Sequence, residues 1–149
     1  MRKNNLLLAF GFLALTSALF GARSLFRGAT AVSAAAQISV SPSSIDFGDI
    51  DQTDGIVSRE VTVSNTGNLP LEIRRISTSC GCTTADMDTS PIPGGQTRTL
   101  TIRFDPMTHP DQNGPITRVV YLQTSDPKQP EIEIDIAGNV MPGKSTSKL

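Results

Sequence analysis

The sequence predicts an all-β body behind an apolar N-terminal leader, and three observations carry that prediction. Between Gln37 and Val140, short runs alternate apolar and polar residues, the period-2 pattern of half-buried strands. Clusters of Asn, Gly, Pro and Asp separate the runs, as turns between strands require. No stretch of the body keeps an apolar face at helical spacing long enough to specify a helix.

Taken in order, Gln37 to Val40 and Ile45 to Phe47 read as one edge segment broken by Pro42, because proline cannot donate to a sheet ladder. Ile56 to Ser64 sets Val61 and Val63 on one face and Glu60, Thr62 and Ser64 on the other, then meets the turn Asn65, Thr66, Gly67, Asn68. Leu71 and Ile73 begin a third strand. Ile76 breaks its parity after Arg74 and Arg75, which a bulge would repair. Cys80 to Ala85 reads as a short fourth strand, ended by the Pro91, Pro93, Gly94, Gly95 cluster. Leu100, Ile102 and Phe104 alternate with Thr99, Thr101 and Arg103 until Asp105 and Pro106. Ile116 to Thr124 is apolar on both parities at Val119 to Leu122, as expected of a central strand. Ile132, Ile134 and Ile136 alternate with Glu131, Glu133 and Asp135. These carboxylates read as a solvated or edge-protecting face.

About seven short strands at this spacing fit an immunoglobulin-like β-sandwich, with a barrel as the rival. There is no Trp, and the only two Cys are two residues apart, so no bridge joins the sheets and packed Val, Ile and Leu must supply the stability. The expected division is a leader over 1–36, the sandwich over 37–140 and a disordered tail over 141–149.

Arg2 and Lys3 precede an uncharged run of 17 residues, Leu6 to Ala22, the pattern of an export signal. Small residues Ala34, Ala35 and Ala36 mark one cleavage site, and Thr16, Ser17 and Ala18 an earlier one. The run is also long enough to stay as a membrane anchor through residues 6–22. No Cys follows it, which argues against a lipoprotein. The body is therefore expected in the periplasm or cell envelope, an oxidising compartment. The terminal Ser147, Lys148, Leu149 spells a peroxisomal address, but three residues on a Lys/Ser-rich tail match easily by chance. An export leader would act first, during synthesis.

The formal charge of −1 hides an asymmetry: four of the 13 basic residues precede Asp46, the first acid, leaving nine against 14 acids and a body of −5. That balance excludes electrostatic capture of nucleic acid or an anionic membrane. The body's aromatics are Phe47, Phe104 and Tyr121, too few to stack bases.

Distinct chemistry centres on Cys80, Gly81 and Cys82. In a regular strand their Cα atoms would lie about 6.6 Å apart with both sulfurs on one face, too far for a bridge unless Gly81 folds the pair into a turn with φ > 0. Three readings stay open. The pair is a local disulfide or redox-active dithiol, half of a Cu(I) or Zn site, or two small buried side chains. His109 is the only histidine, with Met107 two residues earlier. If their loop reaches the cysteines, the S, S, N and S donors would suit copper; otherwise His109 is a loop residue. Arg74 and Arg75 are placed to meet a partner's carboxylate or simply to face solvent. No G-x-S-x-G elbow, P-loop or H-E-x-x-H is present, and a nucleophilic site would have only His109 as base.

The segment Ile73 to Thr84, IRRISTSCGCTT, resembles the bacterial domain of unknown function 1573 family. Asn65, Thr66, Gly67 and Leu71 before it, and Ile92, Pro93, Gly94, Phe104, Ile136, Ala137, Gly138 and Val140 after it, extend the likeness over about Ile38 to Val140. The resemblance implies an exported immunoglobulin-like domain of the type found in Hydin and related ASH-like proteins. It marks Cys80 and Cys82 as hallmark positions and implies no activity or cofactor. The function expected is a non-enzymatic module that binds a protein or cell-envelope component. The alternative is a thiol-based redox or copper-binding protein using Cys80 and Cys82.

Overall fold

A computed structural model describes residues 34–143. The expected leader through Ser33, with its anchor run at residues 6–22, and the tail from Lys144 with its Ser147, Lys148, Leu149 triplet lie outside the described residues. No helix among the described residues is long and apolar enough to cross a membrane.

The body forms eight strands: β1 (Ile38–Ser41), β2 (Ser44–Asp51), β3 (Val57–Asn65), β4 (Ile73–Thr78), β5 (Thr83–Asp86), β6 (Thr97–Phe104), β7 (Gly114–Thr124) and β8 (Glu131–Met141). They make two four-stranded sheets, β1-β3-β6-β5 and β2-β8-β7-β4. All pairings are antiparallel except β2 with β8. Two separate sheets settle the architecture as an immunoglobulin-like sandwich rather than a barrel.

The period-2 pattern produces the core directly. Val61, Val63, Leu100, Ile102 and Phe104 of one sheet and Val120, Leu122, Ile134 and Ile136 of the other are all buried. Phe47 meets Phe104 with ring centroids 6.3 Å apart. β7 is central, as its doubled apolar parity predicts, with Val119 and Tyr121 half-buried on its outer face.

Two expectations change. The eighth strand arises because the segment broken by Pro42 is two strands: the chain switches sheets at the cis Ser41–Pro42 peptide, sending β1 to one sheet and β2 to the other. The fourth predicted strand starts at Thr83, since Cys80 to Cys82 form a turn instead. Glu131, Glu133 and Asp135 are exposed on β8, and β2 pairs with β8 only from Asp135 onward, so Glu131 and Glu133 face solvent on a stretch that β7 alone pairs, in keeping with a solvated or edge-protecting face. The bulge expected near Ile76 is present as a register shift between Ile73 and Arg75. A second shift, between Asp46 and Asp49 of β2, is built on Gly48, whose φ of 70° suits glycine and whose N–H donates to Asp46 Oδ1 at 2.8 Å.

The strand directions gather the loops at two ends. At one end Asn65, 1% exposed, donates through Nδ2 to the carbonyls of Leu69 and Ile92 (2.7 and 2.8 Å), while its Oδ1 accepts from Gly67 and Gln37 N–H. Beside the start of β1, Asp126, 2% exposed, accepts from the N–H groups of Ile38, Lys128 and Gln129. Burial by itself would raise the Asp126 carboxyl, but these backbone donors outweigh it and hold it below the ordinary carboxylate value. Ala35 and Ala36 are already part of this end: Ala35 N–H donates to Asn68 Oδ1, and Ala36 is buried. The β4–β5 turn, the β6–β7 loop and the β2–β3 loop lie at the opposite end.

Candidate functional site

β4 and β5 belong to different sheets, so the residues between them must turn the chain across the sandwich. The turn Cys80 to Thr83 closes with Thr83 N–H donating to the Cys80 carbonyl at 3.1 Å. Thr78 Oγ1 sits 3.0 Å from the carbonyl oxygens of both Cys80 and Thr83. The turn brings the two Cα atoms to 5.2 Å, shorter than an extended pair and within the range a bridge requires. Cys80 and Cys82 are disulfide-bonded. Gly81 achieves this without the positive φ expected of it: among the glycines in the left-handed region are Gly48, Gly55, Gly95 and Gly114, and a Cβ built on Gly81 would meet open space. A hydrogen-bonded turn therefore does the work assigned to glycine's freedom.

His109, 29 residues further on, comes to the same place. The register of β5 on β6 pairs Thr83 with Phe104, and the next step puts Asp105 N–H on the Cys82 carbonyl at 2.9 Å. Asp105 then caps a short 3-10 turn, Pro106–Thr108, through Met107 N–H to Oδ1. The loop folds back and sets His109 Nε2 3.6 Å from Cys80 Sγ. Gln52 braces it from the β2–β3 side by donating to the Pro110 carbonyl at 2.8 Å. Met107 lies in the turn with its side chain about half exposed.

The sequence reading missed Arg118. It sits on the same β7 parity as Ile116, Val120 and Leu122, the parity facing the core, and that misplaced charge was the available signal. Its Nε donates to Cys82 Sγ at 3.2 Å, Nη2 to Gln112 Oε1 at 2.8 Å and Nη1 to the Thr117 carbonyl at 2.7 Å. The guanidinium is thus spread over a sulfur, an amide and a backbone oxygen, which permits a charge between the sheets. Cys82 is 2% exposed and Cys80 half-buried, while His109 opens to solvent. Chemically this is a disulfide with an imidazole on its outer sulfur and a guanidinium on its inner one. Arg74 and Arg75 are not part of it; both are exposed on β4, with Arg74 3.9 Å from Glu72.

The family model described as "Protein of unknown function (DUF1573)" matches residues 38–140, and the chain belongs to that family. A protein of unknown function from Porphyromonas gingivalis W83 is similar in structure, with TM-score 0.64 and 24% identity over 73% of this chain and 50% of that one. The chain thus spans about half the length of that protein. The ASH / PapD-like domain 7 of human CEP192 gives TM-score 0.59 at 10% identity, covering 74% of this chain and 89% of that domain. The YadV chaperone gives 0.50 at 18%, over 70% and 51%. At these identities the likeness establishes the fold, an immunoglobulin-like sandwich of PapD-like type. No curated protein matches the sequence.

Proposed function

We propose that this member of the DUF1573 family is a non-enzymatic, exported protein-interaction module of the cell envelope, which receives an extended segment of a partner protein along the open edge of β4. The observation that carries the reading is that edge. β4 closes its sheet with β7 on one side only, and from Arg75 to Thr78 its pairing is regular. The edge strands β1 and β5 are shorter, with four residues each against six in β4. A row of backbone donors and acceptors at a sheet edge pairs readily with an added strand. Arg74 and Arg75, exposed on β4, offer charge to carboxylates of the incoming segment. The PapD-like fold, shared with a chaperone, and the basic, apolar leader support the reading.

The test places a photo-crosslinking residue at Arg75 or at Glu133 in the full chain, expressed in its native host. A discrete adduct from position 75 alone, recovered in the envelope fraction, is the expected result. Equal adducts at both positions, none at either, or an adduct confined to the cytoplasm would overturn it.

A further inference from the structure

We propose that Cys80, Cys82 and His109 form a Cu(I) site that opens when the disulfide between the two cysteines is reduced. The site is independent of the β4 edge and stands on its own geometry. The two Sγ atoms and a ring nitrogen of His109 all lie within 4.8 Å of one another. Metal bonds of about 2.3 Å to sulfur and about 2.0 Å to nitrogen put neighbouring ligand atoms of a three-coordinate site roughly 3.7–4.0 Å apart. The Cys80 Sγ to His109 Nε2 separation is 3.6 Å, close to the lower figure.

The donor set selects the metal. Two thiolates and an imidazole are soft and borderline ligands, suited to Cu(I) or Zn. A structural zinc site takes four ligands, and the cluster among the described residues offers three from Cys, His, Asp and Glu. Cu(I) is satisfied by three. Two thiolates around one monovalent cation leave a net charge of −1, and the Arg118 guanidinium, 3.2 Å from Cys82 Sγ, stands ready to balance it. A buried negative centre needs such a partner. The exposed imidazole provides the side from which the ion enters.

The chemistry balances in two steps. A dithiol reductant transfers two electrons and two protons to the protein disulfide; the Cys80–Cys82 bond breaks, both residues become thiols and the reductant closes its own disulfide. Cu(I) then displaces the two thiol protons to solvent, forming two Cu–S bonds, while the Nε2 lone pair of His109 forms the third.

The full chain would be reduced with a phosphine, desalted under nitrogen and titrated with Cu(I) against a chromophoric Cu(I) chelator, with native mass spectrometry for stoichiometry. One Cu(I) per reduced chain is expected, with none on the oxidised protein and none on Cys80→Ser/Cys82→Ser. His109→Ala should weaken binding by about tenfold or more with an unchanged circular dichroism spectrum. Should the double variant fail to fold, the oxidised and reduced wild type and His109→Ala still decide the matter. No uptake after reduction, equal uptake by the oxidised protein, unchanged affinity in His109→Ala, or displacement of Cu(I) by equimolar Zn(II) would overturn the proposal.

Discussion

The two ends of the sandwich both place polar groups between or beside the sheets, yet they do so with different chemistry. At the Asn65 and Asp126 end, amide and carboxylate oxygens accept backbone N–H groups, and the amide donates to two carbonyls. At the Cys80 end, the inward charge of Arg118 rests partly on sulfur, and an exposed imidazole faces the other sulfur. Neither end strands a buried polar side-chain atom among the described residues. The difference lies in what can be exchanged. Oxygen and nitrogen partners joined by several strong hydrogen bonds fix loops and react with nothing. A sulfur pair, poorly matched as a hydrogen-bond acceptor, can be reduced, and the thiolates so released are metal ligands.

The largest expected effect breaks the first end. Asn65→Ala strips partners from buried carbonyls and N–H groups of three segments and should cost about 3 kcal/mol in urea unfolding; a loss below about 1 kcal/mol would mean these loops hold themselves. Asp126→Ala should cost about 2 kcal/mol by the same measure. The Asp126 carboxyl titrates below its ordinary 3.8 in the folded chain. Its stabilisation is therefore complete above about that pH and lost as pH falls through the lower folded value. Urea midpoints measured from pH 6 to pH 2 should show an acid limb that Asp126→Asn flattens. Reducing the disulfide should cost only about 1.5 kcal/mol, since it closes a loop of three residues; midpoints with and without a phosphine reductant measure this. The smallest effect sharpens the contrast: His109→Ala should leave thermal stability within about 0.5 kcal/mol, marking the second end as one where chemistry and stability separate.

Much of the fold was legible because period-2 polarity is a local property: Val61 and Val63, Leu100 to Phe104, and Ile132 to Ile136 each announce which face is buried. The sheet switch at Pro42 was not, because a break in a run does not say whether the chain resumes in the same layer. Cys80 and Cys82 stood out by type and spacing. Their meeting with His109 depends on the β5–β6 register, a pairing across 20 residues that no local pattern records. Asn65 read as a turn former, which it is, but its burial, like that of Asp126, comes from segments far away in the chain. Arg118 was visible in principle, as a charge on the inward parity of a strand whose other residues of that parity are buried.

The parallel pairing of β2 with β8 sets a timetable for folding. Ser44 pairs with Asp135 and Ile45 with Ile136, so the second strand of the chain has its sheet partner in the last. A ribosome adding about 5–20 residues per second needs roughly 5–20 s to deliver that partner. Through that interval Ile45, Phe47 and Ile50, all buried in the finished sandwich, have no ladder to join. Closing such distant pairs makes for slow folding. One sheet thus cannot be completed until β8 has been made, although the other, β1-β3-β6-β5, needs nothing beyond Phe104.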